Sequence, residues 1–199
     1  MRVLPILILM IFFTTSCRSV LTTAYGIKKP KLETLASVEK YLKEKKIDSQ
    51  NNVVFKSFNA FAMAQQRNIL SIPDAMFFNA KGRLVRYKKE TEDCNAKVDS
   101  FVSDLSAFSE LPEDASFTLE NLSAMTNRPV LNRDAGIIVV ITWTVYAGRL
   151  NKTKAFEWIK LVNQAKAKGI AVDVYLLNCD FQQSWDLPPS ALEKLGITN

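Results

Sequence analysis

Two spacings of hydrophobic residues alternate along the chain and predict interleaved helices and strands. Apolar residues that recur every three or four positions bury one face of a helix, whereas clusters of β-branched and aromatic residues favour a strand. The elements predicted in the first half are helix 32–46, strand 53–58, helix 60–66, strands 75–79 and 83–87 around a turn at 80–82, and helix 95–108. The two strands around the glycine-containing turn form a predicted β-hairpin, which the last of these helices is expected to cover.

The second half contains the most hydrophobic segments. Residues 137–145 are a dense β-branched run, which is typical of a strand buried on both faces at the centre of a parallel sheet. A helix over 154–168 follows and stops at Gly169, and residues 170–177 predict another buried strand. These three elements form a predicted βαβ unit with a right-handed crossover.

Residues 110–134 separate the two halves, 32–109 and 135–199. They contain prolines and many small polar residues without a sustained period, so we expect a connector with at most short structure. A chain of 199 residues is long enough for one well-buried core. We therefore expect residues 32–199 to form one domain.

The N-terminus has the composition of a secretory signal. One basic residue precedes an apolar run over 3–13, which is too short to cross a bilayer of about 30 Å as a permanent helix. Small residues then lead to Cys17. This segment resembles the lipobox of bacterial lipoproteins, although Thr14 stands where that motif usually has an aliphatic residue. The resemblance implies a signal peptide over 1–16 and acyl chains such as palmitate on Cys17. An ordinary signal with an incidental cysteine is the alternative.

Residues 17–31 are small, polar and basic and predict a lipidated tether. Arg18 follows the cysteine where retention in the inner membrane would favour Asp, which resembles the rule for export to the outer membrane. We therefore expect an outer-membrane lipoprotein that faces the periplasm. Its expected partners are the membrane, through the lipid anchor, and another envelope protein, whereas secretion makes nucleic acid an unexpected partner despite the formal charge of +6.

Many of the lysines lie close to the predicted anchor, at positions 28, 29, 31, 40, 43, 45 and 46. Attraction of these side chains to anionic lipid is one interpretation, and a solvated helix face is the other.

The second half resembles the thioredoxin family. In that family a central strand ending in an aromatic residue precedes the redox motif Cys-Gly-Pro-Cys, a long helix and a second strand. Trp143 and Tyr146 fall where the family places its aromatics, and Ala147-Gly148-Arg149-Leu150 falls where it places the motif, so both redox cysteines are absent.

The first half resembles the remaining part of the same fold. Ile72-Pro73-Asp74 before a strand, a glycine turn, a second strand and a helix is similar to the family's cis-proline loop and the elements after it. The order is inverted, as in a circular permutation. The resemblance implies a mixed α/β sheet of about five strands, in the order 53–58, 170–177, 137–145, 75–79 and 83–87, with helices on both faces. Two incomplete halves that each need a partner chain are the alternative.

Candidate chemistry is sparse. The chain has no histidine, which removes the usual general base and the commonest transition-metal ligand. Its acidic cluster before Cys94 lacks the spacing of a calcium loop, so we expect no metal and no cofactor. Cys94 and Cys179 are candidates for one structural disulfide, which typically contributes about 2–4 kcal/mol. Alternatively, Cys94 is a reactive thiol at the start of a helix.

The resemblance also implies a surface that grips extended peptide, formed here by Pro73, Trp143, Tyr146 and Arg149; a purely core role is the alternative for Trp143. Trp185 is either a docking element or a cover for the sheet edge. We therefore expect a non-catalytic, protein-binding or scaffolding lipoprotein. The alternatives are a divergent thiol-disulfide oxidoreductase or peroxide-handling enzyme that uses Cys94 or Cys179, and a structural anchor whose lysine-rich helix lies on lipid.

Overall fold

The structure, a computed structural model, describes residues 24–88, 96–130 and 135–197. The helices are α1 (Leu35–Glu44), α2 (Phe58–Gln66), α3 (Ala96–Ser103), α4 (Leu119–Met125), α5 (Phe156–Ala167) and α6 (Pro189–Lys194). The strands are β1 (Asn52–Val54), β2 (Asp74–Asn79), β3 (Arg83–Val85), β4 (Glu113–Thr118), β5 (Ile137–Trp143) and β6 (Val172–Asn178). None of the helices in these ranges is long and apolar enough to span a bilayer.

The strands form one mixed sheet in the order β1-β6-β5-β2-β3-β4. Strands β1, β6 and β5 are parallel, and the pairs β5–β2, β2–β3 and β3–β4 are antiparallel. The predicted mixed α/β architecture is confirmed, and the five expected strands lie in the expected order. Strands of both halves interleave in this sheet, so each half completes the other within a single chain.

Helices cover both faces of the sheet, as expected. One core cluster packs α1, α3 and α5 against residues such as Phe77 and Val139. The other packs α2 and α4 against the opposite face of the sheet, at Phe78 and Val140, which follow Phe77 and Val139 in the sequence. Every residue of β5 is therefore buried, which explains why its sequence is continuously apolar rather than alternating.

The predicted connector over 110–134 contains more structure than expected, namely β4 and α4. Strand β4 pairs only with β3 at the edge of the sheet, and most of its side chains are at least partly exposed. An edge strand of this kind shows no run of apolar residues, because little of it faces the core. A capping box formed by Thr118 and Asn121 then starts α4 directly after the strand.

Candidate functional site

The predicted binding turn lies at the carboxyl end of the two central parallel strands. After β5, the backbone forms a 3₁₀ turn over Val145–Ala147, passes through Gly148 and enters a π-helical segment before α5. The Cys179 N–H donates to the Trp143 carbonyl (2.8 Å), so the chain leaving β6 runs beside the same turn. Loops from neighbouring parallel strands meet at this edge, which is where open α/β sheets commonly bind ligands.

Trp143 belongs to the core and does not reach the surface. Its ring is fully buried, stacks on Tyr41 with centroids 5.8 Å apart, and donates its indole N–H to the side-chain oxygen of Asn52 (3.2 Å). This is the core interpretation that the sequence left open. Tyr146 is half-buried and Arg149 is exposed, so of the four predicted binding residues Arg149 is the most accessible.

The Ile72–Pro73 loop lies on the β2 side of the turn. Its peptide bond is cis, as the resemblance implied, and Pro73 is buried. The Asp74 N–H donates to the Thr142 hydroxyl (2.8 Å), which ties the loop to the end of β5. The hydrogen bonds among the described residues include none to the backbone of Ile72. That backbone is available to an extended chain beside Pro73.

Residues 24–33 lie along the opposite, β6 side of the turn. The Lys28 N–H donates to the Tyr146 carbonyl (2.9 Å), and Glu33 exchanges backbone hydrogen bonds with Phe181 and Gln183 (2.8 Å each). The part of the expected tether that the structure describes is therefore bound to the fold. Residues 17–23, including the predicted lipidation site Cys17, lie outside the described residues.

Gly148 is required by this close approach. It has a φ of +60°, and a Cβ atom there would lie 2.5 Å from the Tyr25 carbonyl oxygen and closer still to that of Gly26. Only glycine combines this conformation with so short a distance between two backbones. The turn and the N-terminal segment are therefore shaped to each other.

The carboxylates of Glu33 and Asp180 are buried where the segment meets the turn. Asp180 accepts hydrogen bonds from the Val145 N–H (2.8 Å) and the Asn178 amide (2.6 Å). Burial raises the pKa of Asp180 to about 7, helped by the charge of Glu33 and opposed by those two hydrogen bonds. Glu33 accepts from the Ser37 hydroxyl and pairs with the Lys31 ammonium (3.3 Å). Sequence reasoning missed this pair, although the position of Asp180 just beyond a buried strand was a usable signal.

A cleft of about 350 Å³ opens between the N-terminal segment, α1 and the turn. Four lysines line it: Lys28, Lys29, Lys31 and Lys40. Tyr41 and Tyr146 line it as well. Burial and the charge of Asp180 raise the pKa of Tyr146 to about 12, so its hydroxyl stays protonated and can donate.

Cys179 is a buried free thiol whose S–H donates to the Leu177 carbonyl (3.5 Å). Burial, and then the charge of Asp180, raise its pKa well above the ordinary value, which disfavours the thiolate that exchange chemistry needs. Cys94 lies outside the described residues. Its reactivity therefore stays a prediction, and so does a disulfide with Cys179, which the structure does not show because Cys179 is a free thiol there.

Trp185 covers the end of the sheet. Its indole N–H donates to the Phe55 carbonyl (3.0 Å), and its ring contacts Phe58, Phe61 and Phe181.

Within the described ranges, no group of three or more acidic or cysteine side chains is placed to hold a metal ion. Comparisons with family models, curated proteins and solved structures find no match to this chain.

Proposed function

We propose that this chain is a non-catalytic, thioredoxin-like envelope lipoprotein that binds another protein at the carboxyl end of β5. The thioredoxin-like assignment is supported by the strand order and by the position of the Ile72–Pro73 loop beside the turn. The inverted order of the two halves corresponds to a circular permutation. A lipid on Cys17 and a periplasm-facing place in the outer membrane complete the proposal.

The observation that carries the proposal is the N-terminal segment docked beside the turn. Residues 24–33 are held on the β6 side by backbone hydrogen bonds to Tyr146, Phe181 and Gln183. Main-chain bonds of this kind bind an extended chain without dictating its side chains. The same edge of the sheet therefore suits recognition of a second extended chain.

The partner is placed on the β2 side, because the chain's own segment occupies the other side. There no described residue hydrogen-bonds to the backbone of Ile72, and Ser71 is exposed. Arg149 is exposed on the turn itself, where its guanidinium donates to the Ala24 carbonyl (3.4 Å). An extended segment of a partner would pair with the Ile72 backbone and run past Ser71 towards the turn that carries Arg149.

The turn gives redox chemistry no support. Ala147 and Leu150 offer no sulfur, and the Cys179 thiol is buried with a raised pKa. The oxidoreductase alternative therefore depends on Cys94. Catalytic reduction of insulin disulfides that Cys94→Ser abolishes would establish that alternative and contradict ours, whereas we expect no turnover from either protein.

Site-specific photo-crosslinking in cells tests the binding face. A photoreactive residue replaces Ser71 or Arg149 in separate variants, and replaces Lys168 in the control. Lys168 is exposed at the opposite end of the sheet, in the loop that leads into β6. We expect one adduct of the same mass from positions 71 and 149 and none from 168. Adducts from all three positions, or from none, would contradict a partner at this face.

The lipid is tested separately by mass spectrometry of the mature N-terminal peptide. We expect Cys17 as its first residue, carrying a diacylglyceryl group and an amide-linked acyl chain. An unmodified cysteine, or cleavage elsewhere, would refute the lipoprotein assignment and leave the binding face to be judged on the crosslinking result.

A further inference from the structure

Four lysines line the cleft: Lys28, Lys29, Lys31 and Lys40. Lys28, Lys29 and Lys40 form no ion pair with any described residue, and Lys31 pairs with the buried Glu33 (3.3 Å). Three of the four come from the docked segment, and the fourth comes from α1. The cleft therefore gathers cations from two elements that the fold brings together.

The carboxylates of the cleft do not cancel this charge at its rim. Glu33 and Asp180 are 3% and 1% exposed and are engaged below the surface by Ser37, Val145 and Asn178. Glu44 is the exposed carboxylate among the lining residues. The rim thus presents more ammonium groups than carboxylates.

Two tyrosines also line the cleft. The Tyr41 hydroxyl accepts a hydrogen bond from the Asn151 amide (3.1 Å), which leaves its own proton to be donated. Tyr146 holds its proton because burial raises its pKa. Ammonium groups together with phenolic hydroxyls suit the non-bridging oxygens of a phosphodiester.

The docked segment also limits how far the cleft can lie from a lipid on Cys17. Ala24 is held to the turn, where its carbonyl accepts from the Arg149 guanidinium (3.4 Å). Whatever path the intervening residues take, seven residues span at most about 25 Å. An anchored chain therefore keeps the lysines within reach of the headgroups.

We propose that this lysine-lined cleft binds the phosphate of anionic phospholipid headgroups and holds this end of the protein against the bilayer. Its placement near lipid rests on the proposed anchor, whereas the affinity for the phosphate rests on the cleft alone. Each lysine near an anionic surface contributes about 1 kcal/mol, so removing two should weaken the attachment about thirtyfold.

The test is amine labelling of the full mature protein, read by mass spectrometry at each lysine. The protein is incubated with vesicles of phosphatidylcholine alone or with about one third phosphatidylglycerol, and in detergent with inorganic phosphate. We expect Lys28, Lys29 and Lys40 to be labelled more slowly with phosphatidylglycerol, and Lys81 and Lys168 at the far end of the sheet to be unaffected. If Lys29 and Lys40 are each labelled at the same rate with both kinds of vesicle, the proposal is overturned. If inorganic phosphate protects them as well as phosphatidylglycerol does, the cleft is a phosphate site instead.

Matched variants separate the cleft from general charge. Lys29→Gln/Lys40→Gln and Lys81→Gln/Lys168→Gln lose the same charge, and only the first pair should abolish the protection of Lys28 by phosphatidylglycerol. If both variants lose it equally, the cleft has no special role. If Cys17 proves to carry no lipid but protection persists, the proposed anchor fails and the cleft stands. If the lipid is present without protection, the cleft fails and the anchor stands.

Discussion

Replacing Gly148 with alanine should detach the first docked residues from the turn. The φ of +60° costs an alanine about 1–3 kcal/mol, and this strain remains whatever the neighbours do. The new methyl group would also stand 2.5 Å from the Tyr25 carbonyl oxygen, so either the segment or the turn has to move. The segment is held here mainly by the Lys28–Tyr146 backbone hydrogen bond, which contributes about 1 kcal/mol. Moving the segment is the cheaper response.

Limited trypsin cleavage and amide hydrogen exchange measure that detachment. A loss of about 1–2 kcal/mol in docking free energy should accelerate cleavage after Lys28, and exchange of the Lys28 amide, by about 5–30-fold. Gly196→Ala is the matched control, because Gly196 has a φ of +64° and a Cβ there meets nothing within 4 Å. Gly196→Ala should lower the stability of the fold through the same backbone strain, but it should not accelerate cleavage after Lys28. Unchanged cleavage and exchange in folded Gly148→Ala would refute the docked arrangement.

Three further predictions follow from the buried groups of the site. Because the folded pKa of Asp180 is about 7 against an ordinary 3.8, the folded state keeps a proton that the unfolded state loses, so stability should fall by up to about 4 kcal/mol as pH rises from 4 through 7. Urea unfolding of Asp180→Asn should show a flatter pH dependence, and parallel curves would contradict the assignment. Trp143→Ala should destabilise the fold by about 3–5 kcal/mol in the same assay, whereas a loss below about 1 kcal/mol would argue against a core role. Cys179 should resist thiol labelling until denaturant unfolds the chain, and rapid labelling of the native protein at that cysteine would contradict its burial.

Local patterns were sufficient for the central elements. The continuous apolar run of β5 and the three-to-four spacing of α1 each report the face that the element buries, so both are legible in the chain itself. The predicted strand over 53–58 ended early, at Val54, because the Ser57 hydroxyl accepts the Ala60 N–H and caps α2. Caps of this kind compete with strand propensity over one or two residues.

Elements that bury few side chains were harder to predict from the sequence. Strand β4 gains its place by pairing with β3, and its only fully buried side chain is Phe117. Backbone pairing at an edge leaves the side chains free to be polar, so no period marks it. The sequence therefore supported a connector where the structure has a strand and a helix.

The sequence by itself determined the alternation of helices and strands, the buried centre of the sheet and the absence of sulfur from the turn after Trp143. Only the tertiary structure decided that Trp143 is core, that residues 24–33 dock beside the turn, and that Glu33 and Asp180 share one buried site. The physical reason is that periodicity records whether a residue is buried. The partners of polar and backbone groups depend instead on which chain ends the sheet brings together, and no local pattern records that.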